Sequence, residues 1–557
     1  MKKLALALCL CACAHAGRAK DAAAWLELRS DHFEVRSDLP EADACALVQS
    51  LEEARAAMLT VMWPGQAEPL GKMRVVALAS LGDVQEFASD GINGFFGPDS
   101  FGRMTVVTGG ADAYGLRVVK HELAHALADH YLARQPRWLA EGLACYLETL
   151  RLDHGLKRAV VGELDKDRLR SLQVASATWR GGVLSMGSEF AELPAQQAYQ
   201  FESASWVLVH YLINERRDAL DAYAARLAHG EDPLKAFDAQ FPDLDEAAIQ
   251  LAVHDYTHAE GTFRMFTVPL GSKGYAVTSR PLPRAEALAV VADLYLPLPG
   301  NAGKRAEAIS RALQADPLHP LALAVAGNVA AKDAQASAQA HPGDWRAFVL
   351  LYRRSGDAKA LETAALLSTA NPAVLAELSR TRRKAGRSNE SLALALQAVA
   401  LEPNNFDHLD ALAWALAGKR RCKEALATEL HALEVLPDEV PKSMLAQFRL
   451  QSIDLQTRCG VTPGHVELAE TDGAPDTEPV RKQCGRPPQA AARGTISADY
   501  LVREDGTVGD VRMTGDASAS TLRAFELFLQ SCRYQPAMKD GKPVDQRLRQ
   551  DLSIHAK

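Results

Sequence analysis

Three stretches near the start of the chain set apolar and β-branched residues in short runs or alternation: HFEVRSD (His32 to Asp38), MRVVALAS (Met73 to Ser80) and MTVVTGG (Met104 to Gly110). Such patterning predicts strands. Between the first two, EADACALVQSLEEARAAMLTVM (Glu41 to Met62) spaces its apolar residues near 3.6, which predicts a helix lying on a small sheet. From Tyr114 to about Gly230 the spacing is helical almost throughout, so a helical lobe is expected to follow. Between Pro283 and Pro437, Ala/Leu-rich helical segments are separated by Pro, Gly and Asp. Here the chain repeats at a shift of 34, which aligns Glu390 with Glu424, Leu392 with Leu426, Ala398 with Ala432 and Pro403 with Pro437. Ala285 to Pro317 fits as a third copy and Leu318 to Asn371 as one or two degenerate ones; a nonrepetitive helical bundle is the alternative. Gly460 to Thr477 is turn-rich and acidic, as linkers are. The last stretch reads strand, Asp505-Gly506 turn, strand, helix, strand, Asp540-Gly541 turn, strand, and a D-G pair between alternating segments is a hairpin signal.

Length agrees with this segmentation, since 557 residues exceed what one hydrophobic core organises. The expected divisions are 1–16, a signal peptide; 17–265, a first α/β domain; 283–456, helical repeats; 457–483, a linker; and 484–557, a small α+β domain. The first residues, MKKLALALCLCACAHAGRAK, carry two lysines, a short apolar run and small residues at cleavage-type positions, which is a secretory pattern. The apolar run of roughly ten residues is too short to span a bilayer. Leu10-Cys11-Ala12-Cys13 also resembles a lipoprotein box, so a membrane association through lipid on Cys13 stays open. Either reading puts the chain outside the cytoplasm, periplasmic or secreted. Removing the first sixteen residues takes away Lys2 and Lys3 and leaves 60 basic against 70 acidic residues, with no basic stripe for nucleic acid. Six cysteines then remain (Cys45, Cys145, Cys422, Cys459, Cys484 and Cys532), which permit three disulfides, and no C-x-x-C pair points to a cysteine-type metal site.

The chemistry concentrates in VVKHELAHALADHYLARQPRWLAEGLACYLE, Val118 to Glu148. Residues four apart on a helix differ by about 40° around its axis, so His121 and His125 share a face and can reach one metal ion. Glu122 lies on the flank, where it can hold a water rather than the ion. Pro136 suits the first position of a second helix, and Glu141 then stands at nearly the depth of His125 in an antiparallel pair. Ala140, Gly142 and Ala144 let the helices approach closely. The residues so describe a two-histidine, one-glutamate site with an open fourth position. The competing reading, two ordinary helix histidines, is weakened because 16 histidines in 557 residues give an accidental H-E-x-x-H only roughly a few per cent of the time. Asp129 and His130 read as solvated, with Asp129 as a conceivable orienting partner of His125. Cys145 reads as a small buried residue or half a disulfide, and Trp138 as a packing anchor.

HELAH followed by WLAEG resembles the gluzincin metallopeptidases, and more closely the peptidase MA-like group, over Trp25 to about Gly230. The resemblance implies a zincin-like α/β lobe, Zn2+ bound by His121, His125 and Glu141, and Glu122 as the general base toward a zinc-bound water that attacks a peptide carbonyl. It also implies that Met104 to Thr108 is an edge strand able to pair with an extended peptide. No G-x-M-E-N-like stretch occurs upstream, which points to an endopeptidase rather than an aminopeptidase. Gluzincins commonly place a tyrosine or histidine opposite the base, and Tyr199 in QQAYQFESASWVLVHYLINE is the candidate. Tyr211 lies on an apolar face and Tyr146 about 140° from Glu141 around its helix. The 34-residue period resembles tetratricopeptide repeats, and the last 65 or so residues resemble the TonB carboxy-terminal domain. The expected fold class is therefore multidomain α+β: a zincin-like lobe, an α-solenoid and a small TonB-like domain. The expected function is an exported zinc metallopeptidase cleaving a peptide or protein substrate, with a protein partner on the repeats and an envelope protein on the terminal domain. Energy transduction is not expected, because no membrane helix precedes that domain. A non-catalytic envelope binding or assembly protein is the alternative.

Overall fold

The computed structural model describes residues 25–88, 93–175, 183–185, 193–258, 263–271, 274–295, 299–368, 370–435, 448, 451–452, 454–460, 479–483, 494–515, 519–539 and 542–554. The expected signal segment with Cys13, most of the expected linker and the Asp540-Gly541 turn lie outside the described residues. The protein is mixed α/β, with helix predominating and several small sheets. It divides into two compact units, Met1–Ser185 with Pro194–Ala411 and Met186–Leu193 with Leu412–Lys557. No helix among the described residues is long and apolar enough to cross a membrane.

The first unit opens with β1 (Leu26–Arg29), β2 (Phe33–Ser37), α1 (Glu41–Met62), β3 (Met73–Leu78), α2 (Leu81–Phe87), β4 (Gly94–Pro98) and β5 (Met104–Gly109). Then follow α3 (Ala113–Tyr131), α4 (Arg137–Glu148), β6 (Arg151–Asp153), β7 (Arg158–Val161), α5 (Lys166–Ala175), α6 (Ala195–Glu215), α7 (Arg217–Ala228), α8 (Pro233–Gln240), α9 (Glu246–His258), β8 (Phe266–Pro269) and β9 (Thr278–Pro281). The main sheet has the order β4-β5-β3-β2-β1-β9, and β6-β7-β8 form a second sheet. Two expectations are corrected. Met104–Gly109 is an inner strand; the edge belongs to β4, which runs antiparallel to it and pairs Phe96 with Val106. The Tyr114–Gly230 stretch is interrupted by the β6–β7 hairpin, whose second strand pairs with β8 across more than a hundred residues. No local pattern announces such a contact. Likewise β9 adds to β1, so the stretch after residue 265 completes this sheet.

Helices then succeed one another: α10 (Arg284–Leu294), α11 (Ala302–Ala315), α12 (Pro320–Ala326), α13 (Ala331–Ala340), α14 (Trp345–Ser355), α15 (Ala358–Leu367), α16 (Pro372–Lys384) and α17 (Ser388–Leu401). Next come helices Phe406–Gly418 and Cys422–Glu434, whose starts lie 34 residues after those of α16 and α17, as the repeat predicts. Alternation along the sheet decides how these helices attach. Val76, Leu78 and Val107 share one core with Leu288 and Val290 of α10 and Leu321 of α12, which leaves the buried Val75, Ala77 and Val106 to the opposite face. Glu286 of α10 completes the junction by pairing with Arg36 of β2 at 2.9 Å and His319 at 3.0 Å.

The second unit contains a three-stranded sheet of Val508–Gly515, Gly494–Val502 and Gln546–Ile554, in that order, with the helix Ala519–Gln530 on it. Ile496, Ala498, Tyr500 and Val502 alternate inward against Phe525 and Leu529. Gly506 is required at its turn: φ is 80° and a Cβ would collide with the Tyr534 carbonyl. Cys422 and Cys459 form a disulfide, and Cys532 is disulfide-bonded as well. Cys45 and Cys145 are free thiols, so the three bridges that six cysteines would permit are not all made.

Candidate metal centre

The Asp112 carboxylate caps α3 by accepting from the Gly115 amide at 2.8 Å. α4 starts after Pro136, whose missing N–H costs nothing at a helix start. α4 lies close to α6 because residue 142 has no side chain; a Cβ there would sit 2.6 Å from the Ser205 carbonyl oxygen. With α4 held so, Glu141 meets the histidines of α3.

His121 Nε2 and His125 Nε2 lie 3.1 Å apart, and Glu141 Oε2 lies 3.5 and 3.6 Å from them. Ligand atoms about 2.0–2.1 Å from a tetrahedral ion stand about 3.3 Å from one another, so this triangle has the size of three corners of such a site. The other Glu141 oxygen is taken by Arg137 at 3.3 Å. Burial by itself lowers the His121 pKa, yet hydrogen bonds with Cys145, Glu141 and Glu148 carry it well above the ordinary imidazole range. Burial likewise acts to raise Glu141, and His125 and His121 hold it well below the usual carboxylate range. Both directions describe one need, a positive charge among these three side chains, which a divalent cation satisfies. These residues can bind a metal.

Glu122 is 8% exposed, and burial raises its carboxyl, with Glu141 and Glu148 adding to the effect. Gly94 of the edge strand lies directly against it: a Cβ there would be 2.9 Å from Glu122 Cγ and 3.1 Å from Oε1. The backbone of β4 therefore passes the carboxylate at contact distance.

Glu148 is the residue that sequence reasoning missed. Its Oε2 holds His121 Nδ1 at 2.8 Å, while Oε1 accepts from Arg117 Nε at 3.0 Å and Arg168 at 2.8 Å. A carboxylate on the second imidazole nitrogen fixes the ring and leaves Nε2 free to bind. Glu148 follows Glu141 by seven residues, two helical turns on the same face, and that spacing was a usable signal. Arg117, Asp165, Arg168 and Glu202 extend the network, with Arg168 reaching Glu202 at 3.3 Å; their assembly depends on long-range packing.

The other candidates are placed as follows. Asp129 is exposed and makes no hydrogen bond to His125 among the described residues, so the orienting role falls to Glu148 on the other histidine. His130 is half-buried against the Tyr131 ring at 4.9 Å rather than solvated. Cys145 is buried, and burial pushes its thiol up to about 12, which keeps it protonated. It neighbours His121 and Glu148 in a second potential ligand group, but that carboxylate is already neutralised by two guanidinium groups. Trp138 is a packing anchor, 1% exposed and stacked on Tyr223 at 6.0 Å. Tyr199 stands near the start of α6, 38% exposed, with Arg168 over its ring at 5.0 Å. Its hydroxyl has no hydrogen-bond partner among the described residues, and burial raises its pKa, so it is a free donor. Tyr146 is wholly buried, and Tyr211 packs on Tyr256 at 5.6 Å.

Residues 115–235 match the family described as "Protein of unknown function (DUF1570)". No curated protein matches the chain. The matched segment begins two residues into α3 and contains the whole triad, Glu122, Glu148 and Tyr199.

Proposed function

We propose that the protein is an exported zinc-dependent metallopeptidase of the gluzincin kind, with a zincin-like lobe, a tetratricopeptide-like solenoid and a TonB-like terminal domain. The observation that carries the reading is the triangle of His121, His125 and Glu141 donor atoms, of zinc-site size and of the donor types zinc prefers, with a buried carboxylate beside it. A zinc ion held there supplies a Lewis acid and lowers the pKa of water at the site. Glu122, kept from easy ionisation by burial, is the base that accepts the proton of the attacking water and passes it to the leaving amine. Glu148 and its two arginines hold His121 in one tautomer and orientation. Tyr199 is the candidate donor to the oxygen on which negative charge develops. The free side of β4 offers backbone groups to an extended peptide, which then passes Glu122 where Gly94 leaves room. Export is supported by the secretory amino terminus and the Cys422–Cys459 disulfide.

Digestion of a peptide library by the full chain, with and without chelator, tests the reading. Cleavage is expected with zinc and is lost on chelation, and Glu122→Gln lowers it by ~10²–10⁴-fold while keeping the metal. No cleavage by the zinc-loaded wild type would leave a binding or assembly protein instead.

A further inference from the structure

A cavity of about 520 Å3 opens between α1, the first half of α3 and the segment from the end of α4 to the start of α5. Small-molecule sites span about 300–1,000 Å3. None of His121, Glu122, His125 and Glu141 lines it. Leu51, Val119 and Leu150 make a buried apolar floor, and Leu116, Leu152 and Leu164 continue it toward the opening.

The charges on the wall do not balance locally. Each of its three carboxylates is engaged: Glu148 with Arg117 and Arg168, Glu163 with Arg151 at 2.7 Å, and Asp165 with Arg117. Two cations are not. Among the described residues the partly buried Lys120 ammonium donates only to the Leu150 carbonyl, and Lys166 at the exposed rim has no ion pair. The Lys120 ammonium is drawn out of bulk water beside an apolar floor, and the nearby Glu148 and Glu163 carboxylates are each already paired with arginine, so its remaining N–H donors suit an anion attached to an apolar body.

We propose that this cavity binds a small amphipathic carboxylate, its head on Lys120 and its apolar part on the leucine floor. At ~30 Å3 per water-sized group the space holds on the order of 15–20 non-hydrogen atoms. A fatty acid and the carboxyl end of a short apolar peptide share this chemistry. The site does not depend on activity at the metal triad.

Isothermal titration of the full chain with dodecanoate and with N-acetyl-dileucine tests it. At least one carboxylate binds one-to-one, the tighter of the two names the source, and dodecan-1-ol and acetate bind at least tenfold more weakly. Lys120→Met weakens binding by tenfold or more, and Leu152→Trp, which fills the floor from a different element, abolishes it; melting curves verify that both variants fold. The site is overturned if neither carboxylate binds, if dodecan-1-ol binds as tightly, or if both variants bind like the wild type.

Discussion

The pairs α3–α4 and α16–α17 are built alike, two helices joined by a short turn, yet they bury different kinds of polar group. Inside α16–α17 the buried polar residues are neutral: Ser379 donates to the Ser391 carbonyl at 2.8 Å, and the Asn371 side-chain oxygen caps the helix by accepting from the Val374 amide at 3.3 Å, while its Nδ2 has no partner among the described residues. α3 and α4 bury Glu122, Glu141 and Glu148, with two further imidazoles in the same space. Stability alone does not call for this, since a buried charge costs more than an apolar replacement unless it is paired. Convergence of charge beyond what capping and packing require distinguishes a site from a scaffold.

The sharpest way to break the comparison is to remove a candidate ligand. His121→Ala is expected to reduce zinc from about one per chain to near zero by metal analysis of the purified protein, whereas stoichiometric zinc in that variant would return the triad to ordinary packing. Next in size is Tyr199→Phe, which should slow peptide hydrolysis roughly ten- to a thousand-fold at unchanged zinc content. Unaltered turnover would remove the tyrosine from the chemistry and leave the metal site intact. Glu148→Gln keeps the shape but removes the charge on His121, and chelator competition should show zinc held 10–100-fold more weakly. A lowered melting temperature with unchanged zinc affinity would make Glu148 structural, like the serines of α16–α17.

The smallest effect lies beside the scaffold pair. Glu402, just past α17, accepts from Asn405 at 2.9 Å, and burial pushes its carboxyl up to about 7. Unlike Glu148 it makes no ion pair with an arginine among the described residues; His408 Nδ1 stands 3.5 Å from it, and Arg103 acts on it only from farther away. An acid whose folded pKa exceeds its unfolded value of about 4.3 favours folding fully below pH ~4.3, and that contribution fades as pH rises through about 7. Glu402→Gln should therefore melt a few degrees above wild type at pH 8, with the gap narrowing toward pH 4. A gap that stays constant with pH would mean that the carboxyl ionises freely.

Much of this was legible locally. The residues predicted for α1 are those found, and the three early strands fall within a residue or two of expectation. The triad could be named because two of its members share a helix face and the third follows a turn whose proline fixes where the next helix begins. Glu148 could have been named on the same grounds. What the sequence could not determine has one cause: it depends on elements that meet only after the chain has folded back over long distances. Which strand is the edge depends on β4 pairing outside β5. The guanidinium pair on Glu148 comes from α3 and α5, 31 and 20 residues away. The attachment of α10 and α12 to the sheet rests on apolar side chains far apart in the chain, Val76 and Leu288 being separated by 212 residues, and hydrophobic contact is non-directional, so no periodicity in either segment names its partner. Backbone periodicity and the candidate ligand set are local properties of this chain; the edge, the charge network behind His121 and the cavity beside it were decided by tertiary packing.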